Sequence, residues 1–371
     1  MPRTLSPMTP ATIGSNPGAV ATTEDLFTTA LTYKVKLFTG FANTHAIEAS
    51  ALQKELVDAA LKLSREQLVY NVKTLYVNIL SLMAQKNAQT AYVTSLQRLY
   101  DDVSRELQLG RVARIDQLKA AAELKNGRAR HTQLVADIST LKGALANLLG
   151  IEPREVKQLG QLQDLELPPE EILPVENNFS DHMAGLQRLH SSQLAVQKDN
   201  ELAEKTRGAL YPQVSLSASY GFNFGPNDSD NINSGNWENE EVWQAGLNLE
   251  WNIFDFGSNR SKIQKARIIE KQSRHERTKI ELALKHNIEE AVIKINTAIS
   301  DYDSATAEVA LTQETADIEQ LRFDQGRTDI NDLLYAQARN FMAQSRSINA
   351  IYNYQTARFY LDYLLEKGEQ Q

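Results

Sequence analysis

The side chains of this 371-residue chain that could do chemistry fall into few groups. Its six histidines (His45, His131, His182, His190, His275 and His286) show neither the HExxH spacing nor another pattern that sets metal ligands together. No G-x-S-x-G elbow, Walker loop or dinucleotide-binding glycine pattern occurs. No enzyme, cofactor or metal site is therefore expected. What remains is a set of charged residues beside two turns. Gly110-Arg111 is followed by Arg114 and Asp116, and Gly326-Arg327 by Thr328, Asp329 and Asp332. Carboxylates placed there can attract cations, or can complement the dipole at the start of a helix. The arginines can link to such acids or stay solvated. Gly110 and Gly326 supply the tight backbone needed between antiparallel helices. A second group, Lys34, Lys36 and Glu250, lies in or beside segments of alternating polarity, on a side that would face water.

The net charge of −8 leaves no basic field for nucleic acid. Cysteine is absent, which fits an oxidising envelope compartment. No run of about eighteen apolar residues occurs, so any membrane crossing must use strands. Residues 1–20 lack a charged segment followed by an apolar one, and no secretory signal is visible there; the expectation is a sequence that starts downstream of the true beginning.

The elements that position the charged turns follow from where proline is missing. None of the ten prolines falls in 18–152 or 227–371, and proline is expelled from helix interiors. Both tracts are rich in strong helix formers. They predict helices over 43–107 and 259–323, each roughly 65 residues or about 95 Å long. Ile288, Val292, Ile295, Ile299 and Tyr302 follow a 4-3-4-3 spacing, and Val72, Tyr76, Ile79 and Met83 repeat 4-3-4, as coiled-coil seams do. A shift of 216 residues relates the two tracts without a gap. It carries Phe38 to Phe254, Asn43 to Asn259, Gly110-Arg111 to Gly326-Arg327, Asp116 to Asp332 and Leu145 to Leu361. Such a register is an internal duplication. The unit is an extended segment, a long helix, a tight turn and a returning helix. Between the copies lie a Pro-rich acidic connector (151–178) and a further helix, about 180–209, with Leu186, Leu189 and Leu194 among its apolar positions.

Three segments alternate with period two, which puts one face in an apolar medium and the other in water. In 214–224 the even positions are apolar; in 243–253 the odd ones are, and 29–37 follows more weakly. Each is long enough for a tilted strand to cross a bilayer. Tyr220, Phe222, Phe224, Trp243 and Trp251 suit interfacial girdles, and the acidic stretch 225–241 reads as an exposed loop. In lipid every backbone group must be paired, so such a sheet must close through copies of itself.

At this point the chain resembles a known family. Residues 37–50 (LFTGFANTHAIEAS) and 253–266 (IFDFGSNRSKIQKA) resemble the strand-to-helix junctions of TolC-type outer-membrane efflux proteins. Residues 107–124 (LQLGRVARIDQLKAAAEL) and 323–339 (FDQGRTDINDLLYAQAR) resemble that family's two helix–turn–helix tips, and 210–222 (LYPQVSLSASYGF) its entry to the second β-hairpin. The resemblance covers nearly the whole chain from about residue 26. It implies a mainly α fold with a small β part: long antiparallel coiled-coil helices forming an α-barrel, and four strands per chain given to a shared transmembrane β-barrel. It implies a homotrimer in outer-membrane lipid that works as an export duct with a periplasmic adaptor (membrane fusion) protein and an inner-membrane pump or secretion ATPase. Asp116, Asp329 and Asp332, multiplied by three, would then form an acidic ring at the periplasmic entrance, with Arg111, Arg114, Arg327 and Thr328 as links that hold it shut, and Gly110 and Gly326 at the docking tips. Lys34, Lys36 and Glu250 would face the barrel lumen. The family begins with a signal peptide and one more helix before its first strand; residues 2–11 would be a remnant of that strand, with Pro7 and Pro10 spoiling its pairing. The implied divisions are 1–41 (N-terminal segment and first hairpin), 42–150 (first helical repeat), 151–211 (connector and equatorial helix), 212–256 (second hairpin) and 257–371 (second helical repeat). The alternative is a soluble coiled-coil scaffold with an attached β-hairpin and no pore.

Overall fold

Sixty-seven residues of uninterrupted α-helix, Ala42–Gln108 (α1), are followed by a short turn and a returning helix, Arg114–Leu149 (α2). The pattern recurs as Ser258–Asp324 (α4) and Ile330–Leu364 (α5). The computed structural model describes residues 3–4, 22–23, 27–152, 154, 168–169, 183, 185–226 and 237–368. The long helices end within one residue of their predicted bounds. Both are 67 residues, about 100 Å at the α-helical rise. Their seams pack as the spacing requires. Ile79 meets Leu145 and Ala146 of α2, with Val72, Tyr76 and Met83 alongside. Ile295 and Ile299 meet Tyr354 of α5, while Ile288 packs with Leu364.

The duplication extends to the backbone conformation. Left-handed residues occur at Gly40, Phe41, Gly110 and Gly150, and again at Phe256, Gly257, Gly326 and Glu366, each displaced by the same 216 positions. Helix C-termini close with matching bonds. The N–H of Arg111 donates to the Glu106 carbonyl (2.9 Å) and that of Arg327 to the Arg322 carbonyl (2.8 Å). Likewise Ile151 donates to Ala146 (3.0 Å) and Lys367 to Asp362 (2.9 Å). These are the long-range bonds of the left-handed helix stop.

Contacts divide the chain into two compact units, Met1–Leu56 with Gln193–Glu276, and Val57–Ser192 with Arg277–Gln371. The first holds an antiparallel sheet in the order β3-β4-β5, formed by Phe27–Phe38 (β3), Gln213–Pro226 (β4) and Trp237–Glu250 (β5). Arg3–Thr4 (β1) and Thr22–Thr23 (β2) pair as a separate two-residue ladder. Among the described residues the sheet thus has three of the four strands the resemblance implies; most of residues 2–11, and the connector except Ile151, Glu152, Arg154, Pro168 and Pro169, fall outside them.

Three local expectations need correction. The stretch 225–241 is not all loop: Trp237 through Glu241 pair with Pro226 through Phe222. Pairing with β4, rather than their acidic composition, extends the hairpin through them. β5 also stops at Glu250, three residues early, where Gln213 is its last partner; the preceding Pro212 has no N–H to continue the ladder. Of the helix expected at 180–209, Gln187–Arg207 (α3) is continuous and ends in a 3-10 turn at Gly208–Leu210; Gly185 and Leu186 before it are not helical, and residues 180–182 and 184 lie outside the described residues. The start of α3 is set by Glu366, whose carboxylate accepts from the N–H groups of Gln187 (2.5 Å) and Arg188 (3.0 Å). That external cap lies 179 positions away and is invisible to local reading.

Candidate functional site

The three alternations interlock in register. Leu31 lies beside Tyr220 and Trp243, Tyr33 beside Ala218 and Ala245, and Val35 beside Leu216 and Leu247. Between these rows run Thr32–Ser219–Gln244, Lys34–Ser217–Gly246 and Lys36–Ser215–Asn248. Glu250 pairs with Gln213 at the end of the polar face. A register shift between Lys36 and Phe38 leaves Leu37 unpaired and returns Phe38 to the apolar side, opposite Val214. The apolar face is left uncovered, unlike the core-facing side of a soluble sheet: Leu31 is 81% and Leu247 72% exposed. The polar face is open as well, apart from Ser215 on the central strand. Lys34, Lys36 and Glu250 share that polar face, and all three are exposed.

In the other unit, the two tips share one core. Leu96, Leu99 and Val103 of α1 pack with Ala120 and Leu124 of α2 and with Ile330, Leu333 and Leu334 of α5. Ile330 is 2% exposed; its equivalent in the first repeat is Arg114, which is exposed.

The charged tip residues divide by role. Asp329 is the N-cap of α5, accepting from the N–H groups of Asn331 (2.7 Å) and Asp332 (3.1 Å). Those bonds, the one from Asp332 first, hold its carboxyl below the ordinary aspartate value, with the nearby charge of Lys119 acting in the same direction. The equivalent Ala113 starts α2 with no side-chain cap. Asp332 accepts a hydrogen bond from the Thr328 hydroxyl (2.8 Å), so Thr328 is engaged with the first turn of the helix it precedes. Asp116 faces Lys119 at 3.9 Å. Arg111 reaches Glu106 at 3.3 Å within its own hairpin, an exposed pair of little energetic weight. Arg114 and Arg327 form no ion pair among the described residues. Gly110 (φ 72°) and Gly326 (φ 66°) take the left-handed turn positions expected of them. Lys119 was missed by sequence reasoning, although its i,i+3 spacing from Asp116 is the signal that exposes it.

The polar ties on α3 were also missed, because their partners are remote in sequence. His45 Nδ1 lies 2.7 Å from Glu201 and 3.9 Å from Glu48. Arg267 of α4 pairs with Glu204 of α3 and with Glu270 (3.1 Å). Glu270, largely buried, is held low chiefly by its hydrogen bond from Arg274. The His45–Glu48–Glu201 group brings together three possible metal-ligand atoms; its short His–Glu contact ties α3 to the start of α1.

Comparison with known proteins agrees with this architecture. The profile described as "Outer membrane efflux protein" matches residues 15–151 and 183–365. The chain is 22% identical over 319 residues to Outer membrane protein TolC of Escherichia coli K12, covering 80% of this chain and 61% of that protein, so it spans less than two thirds of the relative's length. It is similar in fold to the outer membrane protein VceC of Vibrio cholerae (TM-score 0.79, 15% identity, 99% of this chain and 84% of that one). The Campylobacter jejuni CmeC outer membrane channel is alike to a comparable degree (TM-score 0.78, 19% identity, 99% and 76%). With duplicated helical hairpins, a sheet with an exposed apolar face and a family match over most of its length, the chain belongs to the outer membrane efflux protein family.

Proposed function

We propose that this chain is one subunit of a homotrimeric export duct in the outer membrane. The observation that carries the reading is a sheet with one face of exposed apolar side chains and one of polar ones. A face bearing Leu31, Tyr33, Trp243, Leu247 and Leu249 is costly in water and suited to lipid. Among the described residues no further strand pairs beside β3 or β5, and unpaired backbone groups are intolerable in a bilayer. Copies of the chain therefore close it, and the polar rows with Lys34, Lys36 and Glu250 line the bore.

The tips form the periplasmic entrance and the docking surface for an adaptor and an inner-membrane pump or secretion ATPase. Repeated three times, Asp116 and Asp332 draw cations to the entrance, as rings of carboxylates do in cation pathways. Asp329 contributes charge while capping its helix. Arg114 and Arg327, free of ion pairs within the chain among the described residues, are available to acids of a neighbouring copy; Arg111 and Thr328 have closer partners and link more weakly. The duct performs no covalent chemistry, and its driving energy comes from the partner machine.

Expression behind an export signal tests the reading. A duct requires detergent for extraction, migrates as a stable trimer and conducts ions in a planar bilayer, with a conductance that divalent cations block and Asp116→Asn/Asp332→Asn relieves. Recovery as a soluble, extended monomer or dimer without conductance supports the scaffold instead.

A further inference from the structure

The passage from β5 into α4 carries a feature the fold itself does not use. Phe256 has φ 54° and is 92% exposed. Left-handed backbone is uncommon for any L residue and worse for a bulky one. Its ring stands edge-on to Phe254 at 4.7 Å, and Phe254 is itself exposed. In the first repeat the equivalent residue is Gly40, where a Cβ would lie 2.3 Å from the Gly208 carbonyl oxygen. Glycine is forced there by packing, but the second repeat keeps an unburied phenylalanine. A strained residue that gains no burial within its own chain points to an environment outside it.

Two further observations say what that environment is. Ile253 and Trp251 continue the exposed apolar stripe of Trp243, Leu247 and Leu249 beyond the end of β5. The first turns of α4 then present Arg260, Lys262 and Lys265, exposed and in no ion pair among the described residues. No acid occurs from 256 to 269. The equivalent residues of the first repeat are Thr44, Ala46 and Ala49. Aromatic rings followed at once by unpaired cations match a bilayer's boundary, with acyl chains on one side and phosphates on the other.

We infer that the junction of Ile253, Phe254 and Phe256 with Arg260, Lys262 and Lys265 docks onto anionic phospholipid headgroups and sets the depth at which the sheet sits. The inference rests on the sheet being membrane-spanning, and its test separates the two. Because the chain has no cysteine, a nitroxide on Ser258→Cys is a single probe of this junction, and one on Leu247→Cys reports the sheet. Both are measured in the full-length protein, in vesicles of phosphatidylethanolamine with or without phosphatidylglycerol. The expected result is that access of a water-soluble relaxation agent to position 258 falls about threefold when phosphatidylglycerol is present. Arg260→Gln/Lys262→Gln/Lys265→Gln abolishes that dependence, and Phe254→Ala/Phe256→Ala makes position 258 more accessible in both lipids. Position 247 stays lipid-protected throughout. A protected 247 with 258 fully accessible in both lipids overturns the docking site and leaves the duct standing. Protection of 258 that is the same in lipid-free detergent and survives the triple substitution assigns the junction to a neighbouring subunit and also overturns it. An accessible 247 removes both readings.

Discussion

The first repeat enters its returning helix through Ala113, with no side-chain cap; the second enters through Asp329, which takes two backbone N–H groups. The first tip leaves Arg114 in solvent, and the second buries Ile330 in the shared core. At the strand junction the pair Gly40-Phe41 is answered by Phe256-Gly257, the same two left-handed positions with the residues exchanged. At the distal stop, Gly150 is answered by Glu366, whose carboxylate caps α3. The duplicated feature is the backbone path. Side chains have diverged upon it, so each repeat carries distinct duties.

Exchanging residues between equivalent positions should break this symmetry unequally. Gly40→Ala drives a Cβ into the Gly208 carbonyl from a left-handed residue and should cost about 3 kcal/mol or more. Gly257→Ala, with no atom within 4 Å of the new Cβ, should cost only about 1 kcal/mol. Thermal unfolding of the two variants in detergent checks the gap. Ile330→Ala should lose about 3 kcal/mol as a buried core deletion, while Arg114→Ala stays within about 0.5 kcal/mol, measured the same way. Glu366→Ala should cost about 2 kcal/mol through loss of two charge-assisted bonds at the start of α3, seen as faster amide exchange at Gln187 and Arg188.

Modest effects are expected at the N-caps of α2 and α5. Ala113 is already extended at φ −82° and ψ 150°, so Ala113→Asn should stabilise α2 by about 1 kcal/mol. Asp329→Ala should loosen the first turn of α5, with a pH signature. Because the folded carboxyl lies below its ordinary value, its contribution is present above that value and is lost as pH falls through the lowered one. The difference between wild type and Asp329→Ala should therefore shrink in acid, whereas Asp329→Asn, still a good cap, should show little of this dependence. Amide exchange at Asn331 and Asp332 against pH measures both.

Much of this was legible in the sequence because it is periodic or local. Missing prolines delimit the long helices, the 216-residue register reveals the repeat, and period two marks the faces of the strands. The N-cap role of Asp329 follows from its place before an apolar helix. What stayed hidden depends on remote partners: Glu366 capping Gln187, Glu201 meeting His45, and Ile330 entering a core made by the other hairpin. The strand at Trp237–Glu241 stayed hidden for another reason: its acidic composition resembles a loop, and only pairing with Phe222–Pro226 makes it a strand.

Spin labels stepped singly along β5 from 243 to 249 in reconstituted vesicles test the central claim, that this sheet separates lipid from a watery bore. Collision with oxygen should peak at 243, 245, 247 and 249, and collision with a polar relaxation agent at 244, 246 and 248. Equal wetting at every position, or no period of two, would contradict a membrane-spanning sheet and leave a helical stalk without a pore.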